Sequence, residues 1–423
     1  MTSSYHLKDK DKCNKNACAS TCNVPKLRFK GYNDEWKHFR LKDIVKIYDG
    51  THQTPNYIDD GIKFVSVENI GNLEGTNKYI SKVDYDKDFK IKPEINDILM
   101  TRIGDIGTPA IIDTKENYAY YVSLALLKAD QEILFPKFFV QRILSEPFQH
   151  ELWKRTLHVA FPKKINKNEI GECNVFICSK SEQEKIASFL TLIDKKIEKQ
   201  KKLVELLKKY KRGLLSQIFS QNLRFKDDKG NDYPDWTEKT LGEITDNISY
   251  GLNAASKKFD SKNKYIRITD IDETTGKYNN LDIVSPDCVL SDEYKLKIND
   301  LLFARTGAST GKTYLYNEND GKMYFAGFLI KFSIKEEYYS NFIFYITQTS
   351  KYQKWVSIMS TRSGQPGINA KEYSKYKFSC PVYNEQVKIS NIISKIDNII
   401  EKANILLDFY NDYKKGLLQK MFI

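Results

Sequence analysis

The stretch RTGASTGKT, residues 305–313, ends in the Gly-Lys-Thr triplet that also ends a phosphate-binding loop. Such a loop requires a Gly where this chain has Thr306, and a helix directly after Thr313 whose N-terminus faces the phosphates. The residues that follow, YLYNEND, are instead typical of a strand and a turn. A related stretch at 102–109, RIGDIGTP, has no Lys and ends in Pro. Both stretches therefore predict a strand that ends in an Arg, followed by a Gly-containing turn, and they disfavour nucleotide binding.

Other residue types that could support catalysis or metal binding lack the required spacing. Asp287, Glu293 and Lys295 superficially resemble a nuclease signature, but they lie too close together to occupy two separate strands. The five His residues show no metal-ligand spacing, and the chain has neither a Gly-rich loop for S-adenosylmethionine nor an Asn-Pro-Pro-aromatic motif. One N-terminal cluster consists of His6, Cys13, Cys18 and Cys22. Two interpretations of it remain open, a zinc site and a polar leader without a metal, and the leader is favoured. The sequence predicts no catalytic site, no metal site and no cofactor bound by this chain.

Composition favours a folded, basic protein with an anionic partner. The 423 residues suffice for two or three domains, and 41% of them are hydrophobic. No apolar run approaches the ~20 residues of a membrane helix, and the first residues lack the apolar segment of a secretory signal. The seven scattered Cys argue against a disulfide framework, so we expect a cytoplasmic protein. A formal charge of +12, from 67 basic and 55 acidic residues, favours nucleic acid as the partner.

The chain repeats itself at an offset of 203 residues. Segments 182–219 and 385–422 align without a gap, and sixteen of their 38 positions are identical. Neither segment contains Pro, and apolar residues recur at alternating steps of four and three, which predicts long helices with a heptad seam. Lys211 and Lys414 interrupt the seam at the same place. Because such a helix cannot bury its apolar stripe alone, we expect the two copies to pair, although the heptads do not decide between a parallel and an antiparallel pair.

The repeat extends upstream of both helices. Trp36, Leu41 and Ile44 recur 200 residues later, INDILMTRIG at 95–104 recurs as INDLLFARTG at 298–307, and PKKINKNEI at 162–170 recurs as QPGINAKEY at 365–373. Short β-branched and aromatic runs between these blocks predict strands. The predicted fold is α+β, with two strand-rich α/β domains in tandem that are separated by two long helices. The predicted order is a disordered leader at 1–22, domain 1 at 23–180, a central helix at 181–220, domain 2 at 221–383 and a distal helix at 384–423.

These duplicated blocks, in this order, resemble the specificity subunits of type I restriction–modification enzymes, a host-defence system. The resemblance covers about residues 23–422 and rests on the Trp-containing openings, the INDxL blocks and the EQxKI helices. It implies two target recognition domains, each of which reads one half of a bipartite site in double-stranded DNA. It also implies that the helices pair as an antiparallel coiled coil, fix the spacing and dock two methyltransferase subunits, which bind S-adenosylmethionine. Two motor–nuclease subunits with ATP and Mg²⁺ complete the restriction complex, and the specificity subunit itself is not an enzyme.

The two halves differ most at 51–60 and 251–262, which is expected of one scaffold that carries two specificities. Side chains on these loops would read base edges, while Lys and Arg would neutralise phosphates. For the shared Arg, an ordinary turn with an exposed Arg and a loop that touches DNA both remain open. The candidate DNA-binding residues are Thr51, His52, Gln53, Thr54, Arg102 and Lys163 in the first half, and Asn253, Ser256, Lys257, Arg305, Lys312, Arg362 and Gln365 in the second. The alternative function is a coiled-coil scaffold or adaptor with duplicated protein-binding domains.

Overall fold

The computed structural model describes residues 23–361 and 365–423, which form two compact units. Unit 1 contains the chain up to Gln200 together with Leu406–Ile423, and unit 2 contains Lys201–Ile405. The predicted domain limits divide the chain differently and stay a prediction. The described ranges contain no helix that is long and apolar enough to cross a bilayer, and no metal-binding group of His, Cys, Asp and Glu. The N-terminal cluster of Cys and His lies outside these ranges.

Unit 1 is built on a four-stranded antiparallel sheet in the order β2–β8–β5–β6. Strand β3 pairs with β4 antiparallel and with β7 parallel, and β1 pairs with β9. The elements in chain order are β1 (Lys37–Arg40), α1 (Leu41–Ile44), β2 (Val45–Asp49), β3 (Ile62–Val65), β4 (Tyr79–Ile80), α2 (Lys82–Asp88), β5 (Ile98–Thr101), β6 (Pro109–Ile111), β7 (Tyr118–Tyr120), β8 (Leu124–Ala129), α3 (Pro136–Leu144), α4 (Glu146–Arg155), α5 (Lys167–Gly171), β9 (Asn174–Ile177) and α6 (Lys180–Phe219), which continues into unit 2.

Unit 2 repeats this plan, with a four-stranded antiparallel sheet in the order β11–β18–β15–β16. Strands β13 and β17 are parallel, and β10 pairs with β19 and β12 with β14. The elements are β10 (Thr237–Thr240), β11 (Thr245–Tyr250), β12 (Ser256–Lys258), β13 (Lys264–Ile266), β14 (Val284–Pro286), β15 (Asp300–Ala304), β16 (Thr313–Leu315), β17 (Met323–Phe325), β18 (Leu329–Ile334), α7 (Ser340–Ile346), α8 (Ser350–Met359), α9 (Ala370–Ser374), β19 (Lys377–Cys380) and α10 (Tyr383–Met421), which ends in unit 1. The predicted α+β tandem architecture is confirmed.

Strands β5 and β15 lie inside their sheets, and both of their faces are buried. Successive side chains of a strand point to opposite faces, so Ile98 packs into one hydrophobic cluster and Leu99 into another. Leu301 and Leu302 alternate in the same way. Burial on both faces explains why the two repeated blocks read as continuous apolar runs. Each strand is therefore a rigid support for the Arg that follows it.

The Asn-Asp pair before each of these strands makes the bend that starts the strand. Asn96 and Asn299 adopt left-handed backbone conformations with φ of 74° and 70°, which Asn tolerates better than most residues. The carboxylate of Asp97 accepts the N–H of Glu94 at 2.7 Å, and Asp300 repeats this contact with the preceding turn at 2.8 Å. The most recognisable motif of the repeat is therefore structural.

The two long helices pair antiparallel within each unit. In unit 1, residues near the start of α6, such as Ile186, share one core with residues at the end of α10, such as Phe422. In unit 2, Ile218 at the end of α6 shares a core with Ile389 at the start of α10. Rising numbers on one helix thus meet falling numbers on the other, which confirms the antiparallel pair that the resemblance implies.

Lysines interrupt the heptad seam because each of them pairs with an Asp of the facing helix. Lys211 Nζ lies 2.6 Å from the Asp397 carboxylate in unit 2, and Lys414 Nζ lies 2.5 Å from Asp194 in unit 1. Both the Asp and the Lys recur at the offset of 203, so the two ion pairs are reciprocal. Each Asp also accepts a hydrogen bond from its own domain, from Gln141 or from the Tyr345 hydroxyl. The interruption is thus a polar contact that fixes the register of the helices.

Candidate DNA interface

Arg102 and Arg305 follow β5 and β15 in equivalent backbone settings. Each Arg N–H donates to a carbonyl just before the neighbouring strand, at 2.9 Å and 3.0 Å, and each Arg carbonyl accepts the N–H of an Ile in the third repeated block at 3.0 Å. The chain then turns at Gly104, with φ of 81°, or at Gly307, with φ of 69°. The predicted strand, Arg and Gly turn are therefore confirmed in both halves.

The Arg102 side chain is buried inside unit 1. Its guanidinium forms an ion pair with Asp49 at the end of β2, and its Nε donates to the Ile165 carbonyl at 3.1 Å. Only 8% of the side chain is exposed. Arg102 thus joins β2, β5 and the third repeated block, and in this conformation it is neither an exposed turn residue nor available to a ligand.

Arg305 has a different neighbour in the same setting. Strand β11 occupies in unit 2 the place that β2 has in unit 1, but it ends in Tyr250 and not in an Asp. The Arg305 guanidinium carbon lies 5.1 Å from the centre of the Tyr250 ring. Its Nε donates to the Gly327 carbonyl at 3.0 Å, while no described residue accepts from its Nη1 or Nη2 and no described carboxylate lies within ion-pair distance. The half-buried guanidinium is therefore not neutralised by a described carboxylate, and its two terminal amino groups remain for a ligand.

A cavity of about 680 Å³ opens in front of Arg305. Its lining includes two other predicted residues, Asn253 and Ser256, and two aromatic residues that the sequence did not single out, Tyr250 and Phe328. Both aromatic side chains are exposed at the rim. Their signal in the sequence is weak: Tyr250 precedes the divergent loop, and Phe328 lies between two buried strands. The cavity therefore combines a cation, a side-chain amide and aromatic faces, which are the groups that contact bases.

Tyr265 also lines this cavity. Burial raises the pKa of Tyr265, so the hydroxyl stays protonated and donates to the Leu252 carbonyl at 2.8 Å.

A glycine precedes the divergent loop in each unit. A Cβ at Gly251 would overlap the carbonyl oxygen of Ala326, and a Cβ at Gly50 would approach the backbone of unit 1 equally closely. The divergent loops thus start from a glycine that both scaffolds require.

Two of the other predicted residues of the second half form ion pairs within the chain, and a third is exposed. Lys257 Nζ lies 3.6 Å from Asp287, and Lys312 Nζ lies 3.6 Å from Glu273. Gln365 is exposed beside the turn at Gly307. Arg362 lies outside the described residues. The residues after the Gly-Lys-Thr triplet form strand β16, which begins at Thr313. A phosphate-binding loop would begin a helix at this point, so the structure agrees with the predicted strand.

The predicted residues of the first half other than Arg102 lie around the turn that follows it. The backbone of Thr51 is held between the chain at 120 and 122, and its hydroxyl accepts the N–H of Gln53 at 3.2 Å. His52, Gln53 and Thr54 are exposed. Lys163 is also exposed, and its carbonyl accepts the N–H of Gly104 at 2.8 Å. The structure thus brings the loop at 51–54 and Lys163 to the same end of the sheet.

Comparisons with solved structures support this fold. A crystal structure of a type I restriction–modification S subunit from M. genitalium has a TM-score of 0.59 and 17% identity, over 95% of this chain and 99% of that one. A structure from a study of complex assembly and conformational transition of the type I restriction–modification system has a TM-score of 0.56 and 12% identity, over 92% and 97%.

Comparisons with sequences identify the family. A protein of Methanocaldococcus jannaschii assigned as the MjaX type I restriction enzyme specificity subunit is 26% identical over 220 residues, which are 49% of this chain and 50% of that protein. The MjaVIII specificity subunit of the same organism is 24% identical over 124 residues, 29% of this chain and 28% of its own length. The chain thus spans at most half the length of these relatives. A family model of the type I restriction modification DNA specificity domain matches residues 33–208 and 233–407. Since these two matches cover most of the chain, it belongs to the type I restriction modification DNA specificity domain family and carries two copies of that domain.

Proposed function

We propose that this chain is the DNA-recognition subunit of a type I restriction–modification complex, without a catalytic site of its own. Each domain reads one half of a bipartite site, and partner subunits carry out methylation and cleavage. The observation that supports this best is the contrast between two equal scaffolds at one position: Arg102 is neutralised by Asp49, whereas Arg305 faces Tyr250 and an open cavity. Matched scaffolds with different chemistry at the same edge are suited to two different half-sites.

The free atoms of Arg305 suit a guanine in the major groove. Guanidinium groups bind O6 and N7 of guanine through two parallel hydrogen bonds, which distinguishes this base from the other three. Because Nε already donates to the Gly327 carbonyl, Nη1 and Nη2 are the two donors that remain for such a pair. Asn253, on the same cavity wall, would then contribute an amide to a neighbouring base.

Replacing Arg305 with Ala is expected to weaken recognition of one half-site by about 1–3 kcal/mol and leave the other half-site unchanged. Arg305→Lys keeps the charge but loses the planar pair of donors, so it should relax the same base position. The measurement is the methylation motif of the complex on a random DNA library. Lys297→Ala is the matched control, because Lys297 is exposed near the opposite end of β15. Equal losses on all DNA sequences would make Arg305 a phosphate contact.

The paired helices are proposed to fix the separation of the two half-sites. The two reciprocal ion pairs, of Lys211 with Asp397 and of Lys414 with Asp194, hold the helices in one register in each unit. A polar pair inside an apolar seam selects one register over its neighbours, because a slip by one heptad would leave half-buried charges without partners. A constant register is what a spacer of fixed length requires.

We also propose that the helices dock two methyltransferase subunits, which bind S-adenosylmethionine, and that two motor–nuclease subunits with ATP and Mg²⁺ join the complex for restriction. Three exposed apolar side chains recur at the offset of 203, Leu203, Leu206 and Tyr210 on α6 and Leu406, Phe409 and Tyr413 on α10. Each triplet covers one face of its helix, away from the seam, and exposed patches of this kind commonly mark protein contacts. Two equivalent patches support two copies of the same partner.

Replacing Leu206 or Phe409 with Glu should remove one methyltransferase subunit each, and the double variant should bind none. A charge at the centre of an apolar contact costs on the order of 2 kcal/mol or more, which is at least 30-fold in affinity. Native mass spectrometry of the complex gives the number of subunits directly. Leu192→Glu is the control, since Leu192 is equally exposed but its repeat counterpart is Lys395. If this control removes a subunit as well, the docking face is not the repeated triplet.

A further inference from the structure

One loop of domain 1 holds two apolar side chains entirely in solvent. Val159 is 98% exposed and Phe161 is fully exposed, at the tip of the segment between α4 and α5. The base of the loop is fixed by backbone hydrogen bonds of 2.8 Å, from the Leu157 N–H to the Lys164 carbonyl and from the Gly104 N–H to the Lys163 carbonyl. The tip is therefore held out from a rigid base, directly beside the turn that follows Arg102.

The surroundings of this tip are aromatic and cationic. Trp153, at the end of α4, is exposed, and its ring stacks on His150 at 5.9 Å and contacts His158 at 4.9 Å. The segment 153–167, WKRTLHVAFPKKINK, contains five Lys and Arg and no acidic residue, although Lys154 and Arg155 pair with Glu151 and Lys167 pairs with Asp49. Lys163 and Lys164 are exposed and have no ion-pair partner among the residues that the structure describes. A polyanion is the partner that such a charge pattern favours.

Double-stranded DNA can bind both the exposed aromatic tip and the unpaired Lys side chains of the loop, whereas a typical protein partner matches only the aromatic tip. Unpaired Lys side chains are depleted at the centre of protein interfaces, while aromatic anchors are enriched there. Proteins that deform DNA combine phosphate-binding cations with an apolar wedge between two base pairs. In the second half, residues 359–364, MSTRSG, precede the matching block and contain no aromatic residue. An aromatic residue at this place in the repeat is therefore found in domain 1 alone.

We infer that Phe161 inserts between adjacent base pairs beside the half-site that domain 1 reads, while Lys163 and Lys164 hold the flanking phosphates. This inference rests on the proposed function. Insertion unstacks the step and kinks the duplex, and pyrimidine–purine steps allow this at the lowest deformation energy. Domain 1 would thus select a deformable step at a position where it makes no hydrogen bond to a base.

The test uses the complete complex and duplexes that carry its mapped methylation motif. The half-site of domain 1 is the one that Arg305→Ala leaves unchanged. 2-Aminopurine is placed at one position at a time across and beside this half-site, because its fluorescence rises when it is unstacked. The methylated adenine is set aside, since methyltransferases flip their target base and unstack it themselves. We expect one further position to become fluorescent with the wild-type complex.

Phe161→Ala should return that position to the level of free duplex and weaken binding roughly 5- to 150-fold, as loss of one aromatic–base stack does. Phe161→Leu should keep part of the signal, since Leu also acts as a wedge. Val289→Ala is the control, because Val289 is an equally exposed apolar residue of domain 2.

Two results would overturn the inference: the fluorescence persists in Phe161→Ala, or no position beyond the methylated adenine responds in the wild type. A loss of methyltransferase binding by Phe161→Ala without DNA would assign the loop to a protein contact instead. Failure of the proposed function looks different, because the wild-type complex would then yield no methylation motif.

Discussion

Replacing Glu182 with Ala should lower the free energy of unfolding of unit 1 by about 3–5 kcal/mol, the usual cost of leaving one charge of a buried ion pair without its partner. Glu182 is fully buried at the start of α6 and accepts two hydrogen bonds of 2.7 Å from the Arg28 guanidinium. These hydrogen bonds raise the pKa of Arg28 in the wild-type chain. Without Glu182 the Arg28 guanidinium would lose its ion-pair partner.

The same contact recurs in unit 2 between Arg224 and Glu385, at 3.0 Å. Glu385 also accepts a hydrogen bond from the Trp236 indole at 3.1 Å, so Glu385→Ala should destabilise unit 2 by a similar amount. These ion pairs give a physical reason for two short motifs of the repeat, the Leu-Arg-Phe that opens each domain and the Glu-Gln that starts each helix.

Hydrogen–deuterium exchange resolved by peptide measures this effect, since a chain with two units need not unfold in one step. Peptides of unit 1 should lose protection in Glu182→Ala, while peptides of unit 2 keep it. Glu184→Ala is the matched control, because Glu184 lies two residues further along the same helix and is exposed. Equal protection in Glu182→Ala and Glu184→Ala would contradict a stabilising role of the ion pair.

Phe422→Ala is expected to destabilise unit 1 by about 3–5 kcal/mol, as removal of a buried aromatic side chain does. The ring is 3% exposed and packs edge-on against Trp36, with a centroid distance of 6.1 Å. It also contacts the Phe138 ring in a tilted arrangement at 5.5 Å. The guanidinium of the buried Arg142 lies 5.8 Å from the same ring centre. The end of α10 thus completes the core of domain 1, and domain 1 should unfold more readily without it.

Thermal unfolding of the isolated chain, together with exchange in unit 1, tests this expectation. Phe409→Ala is the control on the same helix, because its ring is 59% exposed. That variant should keep the stability of unit 1 and lose affinity for the methyltransferase subunit, the reverse of Phe422→Ala. If Phe422→Ala is as stable as Phe409→Ala, the end of α10 does not contribute to the core of domain 1.

The internal repeat made most of the fold predictable from the sequence. Gapless alignment of the helices predicted two equal elements, and the β-branched and aromatic runs predicted strands. The direction of pairing could not be derived from heptads alone, because a heptad seam has the same period in both directions. The reciprocal Lys211–Asp397 and Lys414–Asp194 contacts decide it, and they depend on residues about 200 positions apart.

The candidate site was much less predictable, since identical motifs have different surroundings. Arg102 and Arg305 follow the same type of strand, yet one is neutralised and the other faces a cavity. The difference arises at Asp49 and Tyr250, which lie about 50 residues away in sequence and become neighbours only through the order of strands in the sheet. The exposed loop at Phe161 gave no signal either, because a single Phe in a basic stretch is equally consistent with a core residue.

The most direct test of bipartite DNA recognition is an adenine methylation map. This chain would be co-expressed with a methyltransferase subunit of its host, and the methylated sites would be sequenced in a random DNA library. Recognition by two domains on a fixed spacer predicts one motif with two specific ends and an unspecified middle of constant length. A stable complex that methylates no defined motif and retains no DNA at low salt would contradict it, and would favour a scaffold whose duplicated domains bind protein.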